Sequence, residues 1–446
     1  MKKSLLLCVI VFLLFFKQTL SAQIDTNYVK IKKLIDNGRV NEAINEYKKI
    51  ISLNPKDSKA YVALGNIYLL INLYDEAIDE FKKATEVSPG YFDAYLCLGN
   101  VYFQTYKYLD ALENYRKALT LYPESESALL NSGLVLSYLN HPDESIKLYQ
   151  KVIEINEKNP FAYHFMGYAY FLKKDFFNAI SNYKKAIEYD PTDARIYNNL
   201  ASVYYKIGNF DESIQYCEKA IAINPKYSEA YCSMGNALYK KNEINKAIES
   251  YKKALTFNPK SSESYYGLGN IYLGQNEYDK AIEILKKAIE INPNLSEAHC
   301  ALGTAYRRKN VDDLAEKEYL ISLKINPNLA EAHYNLSILY NKLGEKEKSM
   351  AHLDRAFEII PDSARAETHF TQEYFNSSTL NFDELIDEFK IDLKNNPNDI
   401  ELYLTIGKLF EMKGETKNAL EYYDKYIKLG GDKEKAIQRI NFINKK

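Results

Sequence analysis

A proline returns every 34 residues along most of this chain: Pro55, Pro89 and Pro123, then Pro191, Pro225, Pro259, Pro293, Pro327 and Pro361. The one gap, from Pro123 to Pro191, is twice that period, with Glu157 where a proline would fall. A fixed period of this size restricts the architecture severely. Each unit is too small to close a core, so it must bury its apolar face on its neighbours. Counted from three residues after each proline, nine clean units run from Ser58 to Ser363, and a weaker one precedes them from Ile24 to Asp57. A chain of 446 residues would otherwise suggest two or three globular domains. The repeat predicts a stacked array instead.

Inside a unit the apolar spacing is helical. Tyr265, Leu268, Gly269 and Tyr272 fall at i, i+3, i+4 and i+7, one face of a first helix, and Ala281, Leu285 and Ala288 mark a second. The polar stretch "GQNEYD" between them reads as a turn. The proline ends the second helix, because the residue before a proline avoids α geometry. The eighth position is small throughout: Gly65, Gly99, Gly133, Gly167, Ala201, Gly235, Gly269, Gly303 and Ser337. Glycine inside a helix costs about 1 kcal/mol against alanine. Its recurrence predicts that the two helices cross closely there.

The unit from Phe92 to Ser125 carries Tyr95, Leu98, Gly99, Tyr102, Ala111, Tyr115, Ala118 and Pro123 at positions 4, 7, 8, 11, 20, 24, 27 and 32. This pattern resembles the tetratricopeptide repeat (TPR), in the form found in exported bacterial proteins, and it recurs over nearly all of the chain beyond the first 22 residues. Tryptophan, common at position 4 of the family, is absent; Tyr or His stands there. The resemblance implies an all-α, right-handed superhelical solenoid of stacked helix-turn-helix TPR repeats. It also implies a concave wall lined by positions 2, 5, 6, 9, 12 and 13 of the first helices, and a core that includes Tyr102.

Two regions depart from the pattern. From Ala364 to Asp399 the proline spacing stretches to 36, the small eighth residue is lost and "NSSTLN" interrupts. This is read as a degenerate repeat (364–399), with a weak joint at Asn376 to Asn381 and a second helix in "FDELIDEFKIDLKNNP". A better copy, 400–433, carries Tyr403, Ile406, Gly407, Phe410, Ala419 and Tyr423. The terminal segment, 434–446, is expected to cap the array with Ala436, Ile437, Ile440 and Ile443, since the last unit of a stack must cover its apolar face.

The start of the chain has the parts of a secretory signal over residues 1–22. Lys2 and Lys3 lead, Leu5 to Phe16 form an apolar run of 12, and "LSA" precedes Gln23. A spanning helix needs about 20 apolar residues, and Lys17 ends this run early. Export to the periplasm, cell envelope or medium is the expectation, with no membrane span after signal removal. Losing Lys2, Lys3 and Lys17 takes the formal charge from −2 to −5. A nucleic-acid binder shows a basic excess on one face, so nucleic acid is not expected as a partner. Cys97, Cys217, Cys232 and Cys300 are scattered without a CxxC. They read as unpaired thiols, because disulfide scaffolds are short and cysteine-dense.

No catalytic constellation is present in the sequence: no phosphate-cradling Gly-rich loop, no HExxH and no GxSxG. His141, His164, His299, His333, His352 and His369 are dispersed. His299 and His333 share position 4 of consecutive units, about 10 Å apart by helix packing, and replace the usual aromatic. The chain is therefore expected to be no enzyme and to need no metal or cofactor. Glu249 with Lys253 and Glu283 with Lys287 are i,i+4 pairs on solvated second helices. Glu229, Glu263, Glu297 and Glu331 form a ladder at position 2. First-turn acids complementing the helix dipole explain it; a track for a basic peptide is the alternative.

The inner positions are where the units differ. One unit offers Phe161, His164, Phe165, Tyr168, Phe171 and Leu172, and earlier ones add Leu96, Phe103, Leu130, Leu134 and Tyr138. Later units are polar there, with Asn198, Asn199, Asn236, Asn270, Arg307, Arg308 and Asn341. Apolar residues that the repeat does not prescribe suggest a binding surface; packing between first helices is the competing explanation. No clean unit has Lys at position 5, so the family's clamp for a peptide C-terminus is not supported. The sequence thus points to a non-catalytic scaffold or assembly factor that binds a protein or peptide segment in the concave groove. The alternatives are cell-wall carbohydrate binding through the concave aromatics, or a regulatory subunit of a separate enzyme.

Overall fold

The computed structural model describes residues 26–359 and 382–444, and the regular structure among them is helical. The signal segment, Pro361, His369 and the joint at Asn376 to Asn381 lie outside the described residues. In the clean repeats the first helix fills positions 1–13 and the second positions 17–30, as in Pro160–Leu172 and Phe176–Tyr189. The same register runs from Ser58–Leu70 and Tyr74–Val87 to Ala330–Lys342 and Lys346–Ile359. The weaker first unit forms Thr26–Asp36 and Val40–Leu53. The chain divides into two compact units, Met1–Val203 and Tyr204–Lys446. Within each, a second helix packs on its own first helix and on the first helix of the next repeat.

The turn between the helices is built on position 15, which adopts left-handed geometry in every clean repeat. Asn72, Asn140, Asn242, Asn276 and Asn310 hold φ values of 58° to 63°, and Gly208 and Gly344 hold 83° and 77°. The Leu73 N–H donates to the Tyr68 carbonyl at 2.9 Å and the Asn72 N–H to that of Leu69 at 3.0 Å. This paired closure satisfies carbonyls that the end of a helix leaves open. Glycine and asparagine tolerate positive φ best. Tyr106 (61°) and Lys174 (60°) hold the same geometry without being either.

The small eighth position has a steric cause. A Cβ added at Gly99 would lie 2.3 Å from the Tyr115 ring, at Gly133 2.5 Å from Tyr149, and at Gly235 2.8 Å from Tyr251. Position 24 therefore fills the space that position 8 leaves. Where position 8 carries a side chain, as at Ala201 and Ser337, position 24 is Cys217 or Leu353 instead of Tyr or Phe. Tyr115, Tyr149, Tyr183, Tyr251, Tyr319 and Tyr423, all at position 24, are among the largest fully buried side chains. Tyr102, expected in the core, is only half-buried. Burial at position 11 varies between repeats, since Tyr68, Tyr340 and Phe410 are buried where Tyr102 is not, whereas the position-24 tyrosines that face a glycine are buried throughout.

Position 4 is tied to the proline before it. The hydroxyls of Tyr61, Tyr197 and Tyr231 donate to the carbonyls of Pro55, Pro191 and Pro225 at 3.2–3.3 Å. His299 and His333 donate through Nε2 to Pro293 at 3.2 Å and Pro327 at 3.1 Å. Histidine replaces tyrosine here because both bring an aromatic ring with a donor at its far end. Neighbouring repeats are also joined at the surface. Lys173 bonds to Asp143 at 2.5 Å, Lys241 to Asp211 at 2.5 Å and Lys413 to Asp383 at 2.6 Å.

At the C-terminal end, Phe382–Asn395 shares one core with the last clean repeat, the Phe382 ring lying 5.2 Å from that of Tyr334. Ile400–Lys413 and Thr416–Lys428 follow, and Lys433–Asn444 closes the described chain. On that last helix Ala436 is fully buried and Ile440 and Ile443 pack on the core, while Ile437 stays 36% exposed. The Arg439 Nε donates to buried Glu411 at 3.2 Å, an attachment that the apolar pattern did not reveal.

Candidate interaction face of the first helices

In the unit ending at Val203, Phe161, Tyr168 and Phe171 keep part of their rings at the surface. Phe165 does not. It is 4% exposed, with its ring 6.0 Å from Tyr149 and 6.3 Å from Phe161. Position 6 turns toward the preceding repeat, whose position-24 tyrosine receives it. Phe103 is buried as well, between Tyr108 at 5.7 Å and Tyr138 at 5.5 Å, and those two rings stack at 5.4 Å. Leu130 is also buried. The expected open apolar stretch is thus corrected at Leu96, Phe103, Leu130, Leu134 and Phe165, which are buried.

Beside these rings lies a polar group of residues. His164 is 3% exposed, and the Asn199 Nδ2 donates to its Nε2 at 2.8 Å. The ring is then neutral, with its proton on Nδ1. Burial pushes its pKa down to about 4; Asp193 opposes that shift and Arg195 adds to it. Arg195 itself is forked on Asp193, Nε to Oδ1 at 2.8 Å and Nη2 to Oδ2 at 2.5 Å. Three atoms here are buried without a hydrogen-bond partner: His164 Nδ1, Arg195 Nη1 and Asn198 Oδ1. Sequence reasoning placed His164, Asn198 and Asn199 on this face. It passed over Arg195, whose one signal was an aspartate two residues earlier.

In the unit from Tyr204 onward the asparagines differ in use. Asn236 accepts from the Tyr251 hydroxyl at 2.7 Å, as Asn100 does from Tyr115 at 2.8 Å in the other unit. Both satisfy buried core tyrosines. Asn270 is buried, with its Oδ1 lacking a partner. The glutamate ladder is uneven: Glu263 is exposed, Glu229 and Glu297 are half-buried, and Glu331 is 4% exposed. Burial pushes the Cys300 thiol pKa up, with Glu331 adding to it, and burial pulls Lys240 down while Glu331 opposes. Glu331 lies in the first turn of Ala330–Lys342 and is the buried member of the ladder.

Two histidines that sequence reading treated as dispersed meet across one helix pair. His333 Nδ1 and His352 Nδ1 are 2.9 Å apart, and the Tyr340 ring stacks on His352 at 5.5 Å. Their positions, 4 and 23, face each other in the repeat, as do His299 and Glu318 at 2.7 Å. Among the described residues no group of three or more His, Cys, Asp or Glu could hold a metal ion. None of the described helices is long and apolar enough to cross a membrane.

The sequence matches the family description "TPR repeat" over residues 32–72, 65–105, 167–208 and 235–276. It matches "Tetratricopeptide repeat" over 92–125, 126–159, 194–227, 216–249, 262–295 and 330–363. Together these cover well over half of the chain. The chain belongs to the tetratricopeptide repeat family. Its TPR fold is shared with the human IFIT1 dimer with PPP-AAAA, at 17% identity and a TM-score of 0.56, over 84% of this chain and 91% of that one. A tetratricopeptide repeat protein from Parabacteroides merdae is similar at 18% identity and a TM-score of 0.48, over 59% of this chain and 98% of that one. YrrB, described as a TPR protein with an unusual peptide-binding site, is similar at 24% identity and a TM-score of 0.33, over 42% of this chain and 97% of that one. No curated protein sequence matches this TPR chain.

Proposed function

We propose that this TPR chain is a non-catalytic scaffold that holds a protein or peptide segment along its first helices, outside the cytoplasm. The observation that carries the reading is the half-buried set Phe161, Tyr168 and Phe171 beside unpartnered polar atoms. The repeat prescribes none of these side chains. Several first helices can each give a small contact to one extended ligand, and partly open aromatics supply the anchors that dominate such interfaces. The IFIT1 structure carries PPP-AAAA, so a nucleic acid is the reading to compare. It is disfavoured by the net charge of −2 and by Arg195, whose guanidinium is already forked on Asp193.

Capture from envelope extract on the immobilised mature chain tests the proposal. Tyr168→Ala and Phe161→Ala should release the captured protein while melting changes little. Unchanged capture by both variants, or capture of RNA in place of protein, would overturn it.

A further inference from the structure

In the last clean repeat, His333 lies on the first helix, Ala330–Lys342, and His352 on the second, Lys346–Ile359. Their Nδ1 atoms are 2.9 Å apart and their ring centres 5.1 Å apart, so the two nitrogens lie nearly on the line between the rings. We propose that this pair is an acid-opened clasp. It holds the two helices together while it carries at most one added proton, and it parts when both rings are charged. Leu353 and Phe357, just beyond His352, belong to the core shared with Phe382–Asn395. Opening the clasp therefore loosens the seat of the C-terminal helices. Each repeat of a stacked array contacts only its neighbours, so the loosening stays local.

The proton count follows from the partners. His333 Nε2–H donates to the Pro327 carbonyl at 3.1 Å, which leaves its Nδ1 as a bare acceptor. The contact between the rings is then a hydrogen bond donated by His352 Nδ1–H. A first proton enters at Nε2 of the half-exposed His352 ring and leaves that bond in place, now charge-assisted. A second proton has only His333 Nδ1 to go to. It sets N–H against N–H at 2.9 Å between two cations, so the bond is lost and the rings repel. Lys348 lies 5.0 Å over the Tyr340 ring, which stacks on His352 at 5.5 Å, and Arg355 follows one turn after His352. The neighbouring carboxylates are engaged elsewhere: Glu345 with Lys348, Glu358 with Arg355, Glu316 with the Tyr340 hydroxyl, Asp354 with Lys408 and Asp392 with Lys346. Burial pulls the His333 pKa down, opposed by the Pro327 carbonyl and aided by Arg355. Burial also pulls His352 down, aided by His333 and Lys348. A depressed histidine favours the folded state above the ordinary value of about 6.5, so the clasp is intact there and is lost as pH falls below it. In the preceding repeat the same two positions hold His299 and Glu318 at 2.7 Å. There a proton on the ring adds attraction instead of removing it.

Native-state hydrogen exchange of the full mature chain tests this, read as protection corrected for the pH dependence of intrinsic exchange. Between pH 7 and 4.5, protection over Ala330–Lys342 and Lys346–Ile359 should fall about tenfold or more, the loss of roughly one hydrogen bond. The helices from Ser228 to Ile291 carry no histidine and should change clearly less. His352→Gln keeps a donor for His333 without the second charge, and it should remove most of the fall. His352→Glu copies the His299 and Glu318 pair, and it should reverse the trend, gaining protection as pH falls. Unchanged protection over 330–359 in the native chain overturns the proposal. An equal fall in the native chain and in His352→Gln also overturns it, because other titrating groups would then be responsible. Should neither variant fold, 15N-histidine spectra of the native chain decide. His333 Nδ1 should keep the shift of an unprotonated, hydrogen-bonded nitrogen after His352 Nε2 has charged. One coincident step for both rings, at about 6.5, refutes the clasp.

Discussion

A single methyl group tests the packing at Gly133, where a Cβ would lie 2.5 Å from the Tyr149 ring. Gly133→Ala should lower stability by about 1–3 kcal/mol, the usual range for overpacking. The same change made beside Tyr149→Leu should cost clearly less, because the pair would then resemble Ser337 with Leu353. Urea midpoints for the four chains of that cycle give the coupling directly; equal costs in both backgrounds would refute the steric explanation. Phe165→Ala should cost about 3–5 kcal/mol as a buried aromatic, and Tyr168→Ala about 1 kcal/mol or less. The pH dependence of His164 follows from its folded pKa of about 4, below the ordinary 6.5. A depressed histidine favours the folded state above the unfolded value, and that advantage is lost as pH falls from about 6.5 toward 4. The loss is on the order of 3 kcal/mol. Stability of the native chain should therefore fall more steeply over that window than stability of His164→Gln. Parallel curves would show that the ring is not held neutral.

At the scale of helices and turns, Tyr106 and Lys174 occupy left-handed positions where other clean repeats use asparagine or glycine. Lys174→Gly should raise stability by about 0.5–1 kcal/mol, as relief of an unfavourable backbone region does. A lower melting temperature for that variant would mean that the lysine contributes more than its backbone costs. The elements themselves were legible: the proline spacing set the repeat length, and the apolar periods and turn residues marked the helices. Side-chain direction was not. Phe161 and Phe165 lie one turn apart on one helix, and only the tyrosine of the preceding repeat decides that the second is closed in. His333 and His352 stand 19 residues apart, a spacing with no meaning in a linear scan. They meet because positions 4 and 23 face each other across the hairpin. The partnerless atoms around His164 were equally hidden, since sequence shows which groups could bond but not which are left over.

For the whole molecule, export is part of the proposal, and under it the mature chain should begin at Gln23 or within a residue or two of it. Intact-mass analysis of protein from the native host checks this; a full-length species extracted from membranes would contradict it. Melting should be insensitive to EDTA, because no metal cluster is found among the described residues. It should also be insensitive to reductant, because Cys97, Cys217, Cys232 and Cys300 are free thiols. A drop of many degrees with either reagent would expose a missed ligand set or cross-link.

The fit between the eighth and twenty-fourth positions has a genetic consequence. Both partners lie inside one 34-residue repeat, so a recombination event that copies or deletes a whole repeat carries the matched pair together. Slippage between tandem gene segments can then change the length of the protein without spoiling the interior of any unit. What such an event would disturb are the bonds between neighbours, such as Lys173 to Asp143 and Asn131 to Asn100.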